Sequence, residues 1–407
     1  MMVSLGALTR LAAELTARLV ATDSVNPSLV PGGAGEGAVA AEIARFLRER
    51  GFRVILQEAA PGRPNVIGVL AGAGGPGAPL LMLNGHTDTV GVAGMSIAPF
   101  GAVERAGRLY GRGAIDMKGG VGAILAAGAT LAARPARPRG TLLLTFSADE
   151  EYASVGSEAL ATGLRDGGIP GVPPLPERVG AILCEPTGEG ITIAHKGFAW
   201  LRLTTQGRAA HGSDYRGGVD AIALMGRVLG ALSRLDAERL PRVEHPLLGR
   251  PSAHASTIAG GRELSTYPDR CTLEVERRTL PGERREGVAA ELAEVLAEAG
   301  AGVPGFAATS ELFFWRDAYE VAPDAPIVAT LVEALRRADP TRPAGRPPDF
   351  GGGFGWMDSA IFGAAGIPTV IYGPAGEGAH GAEEYVEVAS LGRVAATLVA
   401  AAELFLQ

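Results

Sequence analysis

Three short apolar runs constrain this chain more than any other feature. Residues 80–84, 141–147 and 180–184 are nearly continuous stretches of Leu, Ile, Ala, Met and Phe, with few polar side chains. Runs of this length fit strands buried on both faces, as at the centre of a sheet with helices on either side. Helical patterns surround them: 5–21 and 38–50 are amphipathic, Gly51 stops the second, and 119–133 is Ala-rich. Residues 52–57 read as one more strand. Alternation of strand and helix predicts an α/β fold with a mostly parallel sheet flanked by helices.

After Ile191 the texture changes. Residues 199–205 and 271–277 alternate apolar and polar, and helical patterns over 219–235 and 287–299 accompany them. Half-exposed strands with helices on one face predict a small α+β layer. Buried-strand texture returns from about Phe313 and is clearest over 368–372. The expected organisation is a catalytic domain in two parts, 1–195 and 311–407, with 196–310 inserted between them. The Gly/Pro-rich stretches 167–176 and 340–353 read as loops.

Composition narrows the function. A length of 407 residues argues for two domains, and a net charge of -7 argues against nucleic acid as a partner. The N-terminal helix is broken by Arg10, Glu14 and Arg18, and the apolar C-terminal stretch by Arg393 and Glu403. Neither reads as a secretion signal or a membrane span. Cys184 and Cys271 read as small buried hydrophobes, and two cysteines suit a reducing, cytoplasmic setting.

Each apolar run leads into a side chain able to hold a metal. The first enters Gly85-His86-Thr87-Asp88, the second Asp149-Glu150-Glu151, and the third Glu185. Asp116 precedes the Ala-rich helix, and His380 follows the last apolar strand. Taken singly, each has a plain alternative: a solvated His-Asp pair, a helix cap, an acidic turn. Their convergence on strand ends is what points to a site, since open α/β sheets bind ligands at the carboxyl ends of their strands. A set of His, Asp and Glu without Cys favours hydrolytic metals over structural zinc. Three adjacent carboxylates at the end of a buried strand are costly unless neutralised. Glu150 and Glu151 project differently, so one can bind metal while the other serves as a base. Asp88 could fix the tautomer of His86. The glycine-rich stretches 72–75 and 111–120 lack the spacing of a nucleotide loop.

These segments resemble the M20 metallohydrolases, a family of deacylases, desuccinylases, carboxypeptidases and dipeptidases. The resemblance rests on Gly85-His86-Thr87-Asp88, residues 111–120, Asp149-Glu150-Glu151, Glu185-Pro186-Thr187, Ala210-His211, Glu276-Arg277-Arg278-Thr279-Leu280-Pro281-Gly282, and Gly366-Ile367-Pro368 leading to Gly373-Pro374 and His380. It implies a zinc-exopeptidase-like catalytic domain with an inserted lid and dimerisation domain. It implies two divalent ions, zinc in the first place with cobalt or manganese as alternatives. Asp116 would bridge them, His86 and Glu185 would hold one, and Glu151 and His380 the other. Glu150 would be the general base, Asp88 would orient His86, and the Asp116–Met117 peptide would be cis. His211 would cross a homodimer interface to the partner's reacting carbonyl, and Arg278 would bind a substrate carboxylate. The implied reaction removes an N-acyl group, acetyl- or succinyl-like, from an amino acid or related amine. A dipeptidase or carboxypeptidase acting on short peptides is the alternative, and a non-catalytic binding homologue is a remote third.

The chain departs from the family's pattern in two places that lie close to the substrate in members of that family. Ser265-Thr266-Tyr267 precede Pro268-Asp269, and Trp356-Met357 precede Asp358, which could equally cap a helix over 359–365. His195, His245 and His254 match no ligand position and read as structural.

Overall fold

A computed structural model describes residues 4–75, 77–339, 350–353 and 355–407. Its described residues divide into two compact units: Met1–Ile193 with Val321–Gly351 and Met357–Gln407, and Ala194–Glu320 with Gly352–Trp356.

In the first unit the strands Arg53–Ala60, Arg63–Leu70, Thr141–Ser147, Leu80–His86, Val179–Leu183, Thr369–Ile371 and Ile191–His195 lie side by side in that order. The three apolar runs are central neighbours and pair in parallel, with Leu83 opposite Leu144 on one side and Ile182 on the other. Every residue of Leu80–His86 is buried, as a strand covered on both faces requires. The flanks are antiparallel, so the sheet is mixed. Helix Gly119–Ala132 is buried along nearly its whole length. Gly120 makes that possible, because a Cβ there would lie 2.2 Å from the carbonyl oxygen of Cys184. Helices Leu5–Val20 and Val388–Phe405 bury their apolar stripes in the same unit. By length and composition alone Ala114–Ala132 and Val388–Phe405 could cross a membrane, but 94% and 61% of these stretches are buried inside the protein.

The second unit is a four-stranded antiparallel sheet in the order Ser252–Gly260, Arg270–Thr279, Gly197–Gln206, Ala307–Arg316. Alternation puts Ala199, Leu201, Leu203, Leu273 and Val275 against helices Ala221–Arg234 and Arg285–Gly300. The sheet's other face carries a stack of Phe198, Trp200 and Phe314, with ring centroids 4.9 to 5.6 Å apart.

Local differences from the sequence reading have physical reasons. The expected return to the first domain at 311 falls inside Ala307–Arg316, which pairs with Gly197–Gln206 and so belongs to the second unit's sheet. Phe313 and Phe314 imitate a buried run because they pack on Phe198 and Trp200 of the neighbouring strand. Strand Arg63–Leu70 went unrecognised because Arg63, Pro64 and Asn65 open it with turn-like residues. Of the expected loop 340–353, the part 340–349 lies outside the described residues, and Phe350–Gly353 is a strand rather than a loop. Asp358 stands at the N-cap of Ser359–Ala364 but makes no side-chain cap; it accepts instead from the Ser157 hydroxyl at 2.5 Å.

Candidate metal centre

Parallel pairing of the three central strands brings their carboxyl ends to one edge of the first unit's sheet. His86 ends its strand opposite Ser147, after which the chain turns through Ala148 into Asp149, Glu150 and Glu151. Glu185 follows the neighbouring strand Val179–Leu183. Asp116 sits in the irregular turn Ala114–Lys118 ahead of the buried helix, and the Asp116–Met117 peptide is cis. Gly113 starts that turn at φ 78°, where a Cβ would lie 2.6 Å from Thr89 Cγ2. His380 stands on the loop between Gly376–Glu377 and Tyr385–Glu387, two strands of a small antiparallel sheet.

The structure gathers these side chains into two groups of three that share one carboxylate. His86, Asp116 and Glu185 form the first group and Asp116, Glu151 and His380 the second, each with its donor atoms within 4.8 Å of one another. Asp116 presents one oxygen to each: Oδ1 lies 3.1 Å from His86 Nε2, and Oδ2 lies 3.3 Å from His380 Nε2. His86 Nε2 is 3.8 Å from Glu185 Oε1, and His380 Nε2 is 3.1 Å from Glu151 Oε2. Glu151 Oε1 is buried without a hydrogen-bond partner among the described residues, an orphaned acceptor that a cation would satisfy. Imidazole and carboxylate donors suit zinc, cobalt or manganese. Three carboxylates against two divalent ions leave roughly one positive charge, which a hydroxide would cancel. The residues present therefore fit a pair of divalent ions.

The electrostatics describe a site short of positive charge. Burial pushes Glu150 and Glu185 well above the usual carboxylate range, with neighbouring carboxylates adding to the shift and His86 opposing it. Glu151 is raised for the same reasons. Asp116 goes the other way: burial would raise it, but hydrogen bonds from His380 and His86 hold it low. Hydrogen bonds to Asp116 and Glu151 lift His380 to about 10. In His86 the same kind of contacts, with Asp116 and Asp88, overcome the lowering by burial and raise it well above its ordinary value. Divalent ions would do this work in place of protons, drawing the carboxylates down and the imidazoles to their neutral form.

Asp88 has a wider part in the structure than orienting His86. The ring Nδ1 is 3.0 Å from the Asp88 main-chain carbonyl and 3.6 Å from its carboxylate, so the carbonyl is the closer acceptor. The carboxylate instead accepts the main-chain N–H groups of Glu150 and Glu151, at 3.1 and 3.2 Å. It also accepts Asn26 Nδ2 at 2.7 Å, and the same amide donates to Asp149 at 3.0 Å. Asp149 is paired with Arg63 at 2.9 Å, and Arg63 with the buried Glu36. Sequence reasoning missed Asn26, Glu36 and Arg63. The signal available was weak: an Asn inside Ser24-Val25-Asn26-Pro27 and a lone Arg opening a strand. Glu384 and Arg112 were missed as well. Both are buried and hold the turn of Asp116.

His211 and Arg278 lie on the second unit. His211 is exposed, with Nδ1 2.7 Å from the Ser213 hydroxyl. Strand alternation separates two adjacent arginines. Arg277 is buried and pairs with Glu283 and Glu291, as a structural ion pair does. Arg278 is partly exposed on the aromatic face, 2.7 Å from Glu276, with its guanidinium 5.2 Å from the centre of the Phe198 ring. His195 is buried with Nδ1 2.9 Å from the Lys196 carbonyl, His245 meets Glu320 at 3.4 Å, and His254 is exposed. Cys184 and Cys271 are free and buried.

An α/β sheet whose strand ends collect two His–carboxylate groups around a shared aspartate defines a class of metal-dependent hydrolase folds. The chain belongs to the peptidase family M20/M25/M40, whose signature matches residues 82–404. It is similar to a protein named as a probable succinyl-diaminopimelate desuccinylase in Staphylococcus aureus, 32% identical over 232 residues, which are 51% of this chain and 55% of that one. The match thus spans about half the length of that relative. It is also 29% identical to the acetylornithine deacetylase of Proteus mirabilis over 387 residues, covering 92% of each. Among solved structures it shares the fold of a Bacillus subtilis protein described as a dinuclear metal-binding M20 peptidase, with a TM-score of 0.72, 17% identity, and 98% and 99% coverage.

Proposed function

We propose that the protein is a two-metal amide hydrolase that removes an acetyl- or succinyl-like group from an amino acid or related amine. The observation that carries this reading is the pair of ligand groups sharing Asp116, with Glu150 beside them and outside both. Named relatives at 32% and 29% identity, a desuccinylase and a deacetylase, support deacylation over peptide cleavage. His86 and Glu185 would hold one ion, Glu151 and His380 the other, with Asp116 between; zinc is the ion proposed, cobalt or manganese the alternatives.

Two divalent ions in these positions would polarise the scissile carbonyl and acidify a water. The remaining work falls to side chains. Glu150 has no hydrogen-bonding side-chain partner among the described residues, and burial gives it a high proton affinity. It takes the water's proton and hands it to the departing amine. Arg278 offers a guanidinium for a substrate carboxylate. In a homodimer, His211 of the partner subunit donates a hydrogen bond to the carbonyl oxygen as negative charge develops there. The cell compartment proposed is the cytoplasm.

Glu150→Gln tests the reading. The variant keeps both ions and loses turnover by at least 100-fold; unchanged turnover removes Glu150 from the mechanism. A panel of N-acetyl, N-succinyl and N-formyl amino acids beside dipeptides separates deacylase from peptidase. The peptidase neighbour in the fold comparison makes dipeptides the necessary control.

A further inference from the structure

The structure assigns positioning roles to Glu384 and Arg112, resting on the two-ion reading above. The Glu384 carboxylate is 1% exposed and accepts four hydrogen bonds. Its Oε1 takes the main-chain N–H groups of Ile115 at 2.9 Å and Asp116 at 3.1 Å. Its Oε2 takes Gly113 N–H at 2.9 Å and Arg112 Nη1 at 2.7 Å. One buried carboxylate thus fixes the main chain of the turn that aims Asp116 at both ligand groups.

Arg112 extends the clamp to His380. Its guanidinium is 3% exposed and each of its three nitrogens donates a hydrogen bond: Nη1 to Glu384, Nε to the Gly91 carbonyl at 3.1 Å, and Nη2 to the Gly381 carbonyl at 3.1 Å. Gly381 is the residue after His380, and Glu384 closes the same loop. The His380 side chain is 53% exposed, so packing does little to hold it, and the loop's main chain must set its position. Gly111 N–H donates to the Glu384 carbonyl at 3.0 Å, a third tie between the two segments. The pair therefore fixes the distance from Asp116 to His380, two ligands of the second group that are far apart in sequence. Neither residue belongs to a ligand group, so their effect passes through the ligands.

The two residues act differently, and that makes the inference testable. Arg112→Lys keeps a cation beside Glu384 but loses the fork that holds Gly381, so it loosens His380 alone. Glu384→Gln turns an amide NH2 toward N–H donors that need an acceptor, so it displaces Asp116, which serves both groups. Metal-free protein is titrated with cobalt(II) and followed by calorimetry and visible absorption, with Glu151→Ala marking the step that belongs to the second group. In Arg112→Lys that step weakens about 10- to 100-fold while the other stays within about 3-fold. In Glu384→Gln both steps weaken. Unfolding of the metal-free proteins is measured in parallel. The inference is overturned if wild type binds two ions and both variants do so with unchanged affinity, or if Arg112→Lys weakens both steps equally. It is also overturned if every loss of affinity is matched by loss of the folded state. A wild type that binds no second ion refutes the two-ion reading itself, a separate outcome.

Discussion

Replacing Asn26 should damage stability and turnover together, because its amide bridges two buried carboxylates. Nδ2 donates to Asp88 at 2.7 Å and to Asp149 at 3.0 Å, and all three residues are fully buried or nearly so. A hydrogen bond to a charged group contributes about 1.5–3 kcal/mol. Asp88 keeps the N–H groups of Glu150 and Glu151, and Asp149 keeps Arg63, so the low end applies to each. Asn26→Ala should then cost about 3 kcal/mol. At about 2–4 °C per kcal/mol for a unit of this size, the melting temperature falls by roughly 6–12 °C. Calorimetry of the metal-free protein reads this directly. Asn26→Asp should be worse than Ala, since it sets a third carboxylate against two others with no proton to share. Turnover, measured well below the melting temperature, should fall in kcat more than in KM, because Asp88 positions the main chain of Glu150 and Glu151. A melting shift under about 1 °C, or an Asp variant milder than Ala, refutes the argument.

Other perturbations follow from the same structure. Arg278→Ala should raise KM by about 10-fold or more for substrates bearing a free carboxylate and leave their amides or esters little changed, in line with the worth of a charge-assisted hydrogen bond; steady-state kinetics on matched pairs decides it. His211→Ala should lower kcat about 100-fold while bound metal, measured by elemental analysis, stays unchanged. His195 should make the folded protein less stable in acid. Burial lowers it to about 4, so the folded state resists a proton that the unfolded state accepts near 6.5. Its contribution is complete above pH 6.5 and lost as pH falls toward 4, at up to about 1.4 kcal/mol per pH unit. Denaturant unfolding of His195→Gln should show a shallower pH slope than wild type across that window, and equal slopes contradict it. Chelation should lower the melting temperature of the native protein, and excess zinc should restore it, because ions that bind only the folded state stabilise it.

How much of this was legible in the sequence follows from range. The three central strands and the helix after Asp116 could be read directly, because short apolar runs alternating with helical patterns point to buried parallel strands. The strand Arg63–Leu70 and the strand Phe350–Gly353 could not, because Pro and Gly carry a turn signal that sheet pairing overrides. Side chains that the structure gathers at the sheet edge were nameable, since each sits at a strand end or within a recognisable motif. Their supports were not. Glu384 contacts Asp116 across 268 residues and Asn26 contacts Asp149 across 123, and nothing local to either residue marks it as buried. The contact of His86 with the Asp88 carbonyl shows the same limit: the residue pair was legible, the atom that makes the hydrogen bond was not.

Anomalous diffraction from crystals grown with zinc shows whether two ions are held around one aspartate. Two peaks are expected about 3.5–4 Å apart, one on each side of Asp116, the first among His86 and Glu185 and the second among Glu151 and His380. A single peak, or none at this sheet edge, would contradict the two-ion reading.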